Sequence, residues 1–510
     1  MRTLIIIHDF SEKSNSSFGR NIFFKALINS NYFAIIHLNE FFYLMNEGDH
    51  QVRTQMHSLN ENTKNKLFHN PALVIVSSFF ILILVGALIL MLPICSRSGE
   101  VTPFLNSLFT ATSATCVTGL VVYDTYLYFS VFGQCVIIAL IQLGGLGVVT
   151  LTSFFYLLIG KKMGLRTAHL AQESVSSDEH INTVHLIKMV VILTFIFELT
   201  GALILSTQFI PLFGAYGAFM AVFFSISAYC NAGFDLLGMN GEYSNLVSMQ
   251  DNPVVTFTIM ALIVCGGLGF IVWQDIYNYR RRKKLMLHSK VVLITTAALL
   301  ILGCIGFLIV EWDNPKTMGN MDVLGKIHHS LFQSVTTRTA GFNTVDLNGL
   351  TEVGKILSIV LMFIGAAPGS TGGGIKITTM VVLLMTVIST IRGRTETIIL
   401  HRKVDKSIVY KALAVASLAG VLVVVATSVL LLTGDATSDI NALFETVSGF
   451  GTVGLSVGIS AQAGALSKIM LIICMFLGRV GPVSFALSIT LRNGAKMTRQ
   501  VVPEGKIWVG

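Results

Sequence analysis

Five stretches without a charged residue decide what this chain can fold into. Residues 71–95, 125–160, 252–274, 291–310 and 412–434 contain no Asp, Glu, Lys or Arg. Each reaches the roughly 20 apolar residues that a helix needs to cross a bilayer. Over 510 residues only 12% are charged and 53% are hydrophobic, against about 25% charged in an average soluble domain. The chain is therefore read as an all-α integral membrane protein whose first partner is the lipid bilayer. Its formal charge of +8 is not read as a nucleic-acid surface, because no aromatic-interleaved basic face accompanies it. The seven cysteines lie in or beside apolar segments without a metal spacing and read as small core residues.

Residues 1–70 are mixed and polar. The aromatic-rich patch 21–45 is interrupted by Lys25, His37 and Glu40, so it reads as an amphipathic or docking segment rather than a span. "MRTLIIIHDF" has too short an apolar core and no small-residue cleavage site for a signal peptide. From Pro71 the chain falls into four segments of one pattern, an apolar helix, a Ser/Thr/Gly stretch and a second apolar helix. Their boundaries are 71–160, 184–280, 288–391 and 405–491, followed by a tail at 492–510.

The repeat is visible in four stretches that superpose: "LFTATSATCVTGL" (108–120), "FFSISAYCNAGF" (223–234), "LFQSVTTRTAGF" (331–342) and "LFETVSGFGTVGL" (443–455). Each carries an aromatic about ten residues before a glycine, and a bulky apolar residue after it. The glycines are Gly119, Gly233, Gly341 and Gly454. The second helices also align, through "IQLGGLG", "IVCGGLG", "FIGAAPG" and "FLGRVGP". Their glycines Gly144, Gly266, Gly365 and Gly478, read as lying near mid-helix, follow the loop glycines by 25, 33, 24 and 24 positions.

Twenty Lys and Arg fall in the junctions between segments and in the C-terminal tail. Six (Arg97, Lys316, Lys326, Arg338, Lys355 and Lys468) fall on the glycine side. The positive-inside rule then puts both termini in the cytoplasm and the four glycine stretches toward the outside, which an even count of eight spans satisfies. Irregular backbone at membrane depth survives only when buried in protein or lining water. Four such loops around one axis would present rings of carbonyl oxygens able to replace a cation's hydration shell. One Gly/Ser stretch alone would read as an ordinary turn; four at equivalent places favour a pore.

"TSATCVTGL", "SAYCNAGFD", "TTRTAGFNTVD" and "SGFGTVGL" resemble the filter loops of the Trk/Ktr/HKT superfamily of potassium transporters, nearest to the Ktr-type bacterial membrane subunit. The resemblance covers about residues 71–495. It implies four helix–pore-loop–helix units, eight transmembrane helices, around a pseudo-fourfold pore. The implied ion ligands are backbone carbonyls of Thr115, Cys116, Val117, Thr118 and Gly119; of Tyr229, Cys230, Asn231, Ala232 and Gly233; of Thr337, Arg338, Thr339, Ala340 and Gly341; and of Phe450, Gly451, Thr452, Val453 and Gly454. Glycine rather than serine at Gly119 implies potassium over sodium. The resemblance further implies a bacterial cell membrane protein that works as a homodimer over a cytoplasmic nucleotide-binding regulatory ring, with sodium as a candidate co-transported ion in symport.

"GAAPGSTGGGIKITT" (365–379) interrupts the second helix of the third segment with five glycines, a proline and a lysine. Gly and Pro free backbone there, which makes it a physical place for a gate. The resemblance assigns gating to Gly365, Pro368, Gly369, Gly372, Gly373, Gly374 and Lys376, opposed by Arg479. Lys376 could repel cations or snorkel to the cytoplasm; Arg479 could block the path or clamp broken-helix carbonyls. A phosphate-binding loop is rejected, since Ile375 splits Gly374 from Lys376, Ile377 stands where Ser or Thr belongs, and no strand precedes it.

Glu198 is read as paired with a basic residue or open to a water-filled crevice. Asp124, Asp235 and Asp346 read as solvated loop acids or as an outer cation attractor. Arg338 should point behind its loop onto pore-helix carbonyls, and His328 and His329 should act as interfacial caps. A sodium-permeable or poorly selective transporter of the same fold is the alternative. A membrane enzyme would need paired carboxylates or a nucleophile–base set at membrane depth, and only Glu198, Lys376 and Arg479 are there.

Overall fold

The structure is a computed structural model that describes residues 71–147, 150, 183–436 and 438–481. The N-terminal segment 1–70, the junction around Lys161, Lys162 and Arg166, and the tail 492–510 lie outside the described residues.

Among the described residues four helices are long and apolar enough to cross a membrane: α1 (Pro71–Leu90), α4 (Thr183–Tyr229), α7 (Leu287–Val310) and α11 (Lys406–Leu432). α4 is two helices joined at a break, where Pro211 removes a backbone donor and Gly214 takes φ 60°. The later half of α4 and the short helices α2 (Phe104–Cys116), α8 (Val323–Thr336) and α12 (Asp439–Gly451) lead into the four glycine stretches. Their Ser and Thr residues sit in a dry interior because many hydroxyls bond back to their own helix. Thr112 donates to the Leu108 carbonyl (2.7 Å), Thr446 to Ala442 (2.8 Å) and Thr337 to Gln333 (3.0 Å).

The partner helices are α3 (Val131–Leu146), α5 (Pro253–Gly267), α9 (Glu352–Phe363) and α13 (Ala465–Val480), with α6 (Phe270–Arg282) and α10 (Ile377–Ile391) continuing two of them. Side-chain caps start three of them: Ser130 accepts from Gly133 N–H, Asn252 from Val254 and Val255, and Thr351 from Gly354. The expectation that Gly144, Gly266, Gly365 and Gly478 lie near mid-helix is corrected here. α3, α5 and α13 each stop within two residues of Gly144, Gly266 and Gly478. A second glycine three positions on (Gly147 φ 81°, Gly269 φ 88°, Gly481 φ 91°) carries the chain out of the helix. Across Gly269 the axis turns by 89° into α6. Gly365 lies outside any helix, because α9 ends at Phe363.

Packing runs in a closed cycle: α3 lies on α4, α5 on α8, α9 on α12, and α13 on α2. The aromatics Phe109, Phe224, Phe332 and Phe444 are fully buried, as are the residues after the glycines, Leu120, Phe234, Phe342 and Leu455. The only strands among the described residues are the two-residue pair Ile398–Ile399 and Arg402–Lys403.

Candidate functional site

The four glycine stretches meet. A Cβ placed on Gly119 would fall on the carbonyl oxygen of Ala232, on Gly233 that of Ala340, on Gly341 that of Val453, and on Gly454 that of Thr118. The cycle closes on itself, so the four backbones pack edge to edge with no room for a side chain. Each glycine is left-handed (φ 94°, 70°, 78° and 91°), and so is the non-glycine residue two before it: Val117 at 59°, Asn231 at 60°, Thr339 at 68° and Thr452 at 51°. Left-handed non-glycine residues are uncommon, and four at matching positions mark one repeated backbone conformation.

That conformation is held from behind by hydroxyls of Ser113, Ser227, Thr336 and Ser448. Ser113 and Ser448 accept from the N–H of Gly119 (3.0 Å) and Gly454 (3.1 Å). Ser227 and Thr336 donate instead to the carbonyls of Phe234 (2.8 Å) and Phe342. The sequence reading gave none of these residues a role of its own. Their register, five or six before each glycine, was the available signal. Cys116 and Cys230 are buried behind the ring, and the hydroxyls of Thr115 and Thr118 are buried with no protein partner. Below the ring, Gly144, Gly266 and Gly478 give way to the carbonyls of Thr115, Tyr229 and Phe450. Gly365 does not play this part for Thr337; a Cβ there would meet the Gly373 carbonyl instead.

A second cycle lies further out and was not anticipated. Gln134 accepts from the Tyr216 hydroxyl (2.7 Å), Thr256 bonds His328 Nε2 (2.9 Å), Lys355 donates to Asn441 Oδ1 (3.0 Å), and Lys468 donates to Asn106 Oδ1 (3.0 Å). Each of the four stands ten residues before the aligned glycine of its own segment (Gly144, Gly266, Gly365 or Gly478) and bonds the first half of the next short helix. Three residue types, Gln, Thr and Lys, fill the four positions, so matching residue type between repeats does not reveal them.

The glycine-rich loop 364–376 sits against the inner side of the ring. Its ends pair through Ile364 and Ile375, with Gly365 N–H donating to the Ile375 carbonyl (2.8 Å). Thr371 bonds the Tyr229 carbonyl (3.1 Å), Gly373 N–H donates to Thr452 Oγ1 (3.0 Å), and Gly374 N–H donates to the Gly478 carbonyl (3.2 Å). Phe270 N–H donates to the Gly369 carbonyl (2.8 Å), on the turn that begins at Pro368. Gly372 faces Thr339 so closely that a Cβ would strike its hydroxyl.

Arg479 spans from this loop to α3. Its guanidinium donates to the Thr371 carbonyl and to those of Gly144 and Gly145, the last at 3.1 Å. Clamp and cation therefore coincide in one side chain. Lys376 folds back on its own loop and donates to the Gly372 carbonyl (2.6 Å).

Other expectations change. Glu198 has no basic partner among the described residues; the Gln142 amide donates to it (3.1 Å) and the Cys230 thiol lies 3.9 Å away. Arg338 does turn behind its loop, but its bond goes to the Thr296 carbonyl on α7 (3.3 Å), not to the short helix. His328 and His329 cap nothing. They bond Thr256 and Thr344 (2.9 Å each), while Asp322 caps α8. Asp124 is fully engaged by the N–H groups of Tyr126, Leu127 and Tyr243 (each 2.9 Å). Asp346 caps a short turn through Asn348 N–H. Asp235 is half-buried beside the ring and, among the described residues, accepts from Leu237 N–H (3.0 Å).

Comparison with known proteins gives the family. A family model described as TrkH, cation transport protein, matches residues 51–497. The Ktr system potassium uptake protein B of Bacillus subtilis is 38% identical over 441 residues, 86% of this chain and 97% of that protein. The potassium/sodium uptake protein NtpJ of Enterococcus hirae is 39% identical over 445 residues, again 86% and 97%. Among solved structures, the potassium transporter TrkH from Vibrio parahaemolyticus shares the fold with a TM-score of 0.59 at 17% identity, covering 82% of this chain and 84% of that one. A match over most of its length places the chain in the TrkH family of cation transport proteins, ion transporters and not enzymes.

Proposed function

We propose that this chain takes up potassium across a bacterial cell membrane through a single-chain pore. Its four helix–pore-loop–helix units, 71–160, 184–280, 288–391 and 405–491, surround a pseudo-fourfold axis. The closed ring of Gly119, Gly233, Gly341 and Gly454 carries this reading. Carbonyls of Thr115–Gly119, Tyr229–Gly233, Thr337–Gly341 and Phe450–Gly454 are the potassium ligands, replacing its water. Potassium is the cargo. The similar proteins named for potassium uptake support that choice. The loop 365–376 with Arg479 is the gate. The chain works as a homodimer above a nucleotide-binding regulatory ring, with both termini cytoplasmic.

The test is potassium uptake in a bacterial strain lacking its own potassium transporters, with and without a Ktr-type regulatory subunit. Growth at low potassium is the expected result; membrane-inserted protein with no potassium uptake under either condition overturns the reading. The second reading, a sodium-permeable transporter of the same fold, follows from the similarity to a potassium/sodium uptake protein. Sodium uptake that potassium does not outcompete would select it.

Asp235 gives a pH dependence. Burial raises its carboxyl to about 7, the Leu237 N–H opposes the shift, and Asp124 adds to it. A raised carboxyl is ionised above that value and neutral below it. Its attraction for cations is therefore present at alkaline external pH and lost as pH falls through about 7. One charge about 4 Å away in water is worth about 1 kcal/mol, roughly a fivefold change in apparent affinity. Apparent potassium affinity should fall by that factor between external pH 8 and 6, and Asp235→Asn should flatten the profile.

A further inference from the structure

Glu445 is the one buried carboxylate on the four short helices that precede the ring glycines. It stands on α12 nine residues before Gly454 and is fully buried. Four donors converge on it: Ser456 Oγ (2.7 Å), Val457 N–H (3.1 Å), Ser460 N–H (2.9 Å) and the Ser460 hydroxyl. All four belong to the segment by which the chain leaves the ring. By the register of the hydroxyls Ser113, Ser227, Thr336 and Ser448, the residues at the matching place in the other repeats are Thr110, Phe224 and Gln333. Thr110 bonds its own helix at the Asn106 carbonyl (3.0 Å), phenylalanine offers no acceptor, and the buried Gln333 side-chain amide bonds nothing among the described residues. The tether therefore belongs to the fourth stretch alone.

Its position brackets the glycine. On the incoming side, Ser448 receives the Val453 N–H at its carbonyl (2.9 Å) and the Gly454 N–H at its hydroxyl (3.1 Å). On the outgoing side, Glu445 takes hold from Ser456, two residues beyond Gly454. Charge-assisted bonds of this kind are roughly twice as strong as neutral ones. A buried carboxylate with every donor in place has one arrangement to occupy.

We propose that Glu445 is a positioning residue for ion discrimination. It fixes the outgoing backbone so that the carbonyls of Val453 and Gly454 keep their place in the ring. This rests on reading the ring as the potassium filter. Oxygens held at a set spacing favour the ion whose hydration shell they match, whereas loosened oxygens can close on a smaller one. Loss of the tether then admits sodium rather than simply slowing potassium.

The experiment compares potassium uptake and its inhibition by sodium for the full chain in the membrane of the transporter-deficient strain. Rates are normalised to membrane-inserted protein. Glu445→Gln keeps the shape but sets an amide nitrogen against donors. Glu445→Asp keeps the charge and shortens the reach. Glu311→Gln is the control. Glu311 is equally buried and accepts from Thr351 N–H (3.0 Å), Thr351 Oγ1 (2.7 Å), Asn314 Nδ2 (2.6 Å) and Thr317 Oγ1 (2.8 Å), yet it joins α7 to α9 away from the ring. The expected result is a loss of about tenfold (a factor that corresponds to 1.4 kcal/mol) in preference for potassium over sodium in Glu445→Gln. Glu445→Asp should fall between, and it decides the matter if the glutamine variant fails to reach the membrane. Glu311→Gln should lower the amount of protein and leave the preference alone. An unchanged preference in both Glu445 variants, while Gly454→Ala alters it, overturns the proposal and leaves the filter standing. An equal shift in Glu311→Gln also overturns it, by showing a general effect of stability. If Gly454→Ala leaves the preference unchanged too, the filter reading falls and this proposal with it.

Discussion

Gly119→Ser is expected to lower apparent potassium affinity by roughly ten- to a hundredfold, at about 1.4 kcal/mol per decade, and to let sodium compete. The left-handed backbone is only part of the reason. A non-glycine residue at φ 94° costs on the order of 1–3 kcal/mol, but Val117, two positions earlier, already holds φ 59°. The contact decides. A new Cβ would land on the carbonyl oxygen of Ala232, so one ring oxygen must move and its neighbours with it. Gly434→Ala separates the two effects, because Gly434 is also left-handed (φ 74°) but has nothing within 4 Å of its would-be Cβ. It should lose a little stability and transport normally. Growth at low potassium, with sodium competition, checks both. Wild-type discrimination in Gly119→Ser would remove the ring from the selectivity argument.

Those glycines were legible in the sequence because a backbone requirement has one answer in the amino-acid alphabet. A left-handed residue pressed against a neighbouring carbonyl must be glycine, and four copies at one register make the pattern visible. The same reasoning went astray at Gly365. It shares the 24-residue spacing of Gly478 but starts a loop, since spacing along the chain does not record where a helix stops. The helix breaks at Gly147, Gly269 and Gly481 were written in the same G-x-x-G motifs, yet apolar flanks made them look like packing positions within a continuous span. Side-chain partners were least legible. Gln134, Thr256, Lys355 and Lys468 do one job with three chemistries, the two lysines alike. Glu445 gave no signal in the sequence, because its four donors lie 11 to 15 residues further on.

Arg479→Met is expected to raise uptake in cells that lack the regulatory subunit, and comparison with Arg479→Lys says why. A fixed positive charge about 6 Å from the ion path opposes a cation by about 3 kcal/mol at an effective dielectric constant near 20. This is a barrier of up to about a hundredfold. Arginine also binds with a planar fork, reaching the Thr371 carbonyl on one side and those of Gly144 and Gly145 on the other. Lysine keeps the charge and loses the fork. If charge closes the path, Arg479→Lys stays closed and only Arg479→Met opens. If the clamp closes it by pinning the loop to α3, both variants open. Deleting Gly372–Gly374 should open the path in either case, because it removes the contacts to Thr339 and Thr452. Lys376→Met should do little by comparison, since the ammonium group is already engaged by the Gly372 carbonyl of its own loop. Potassium uptake per membrane-inserted molecule, with and without the regulator, measures all four. Regulator dependence that survives Arg479→Met and the loop deletion unchanged would move the gate away from this loop.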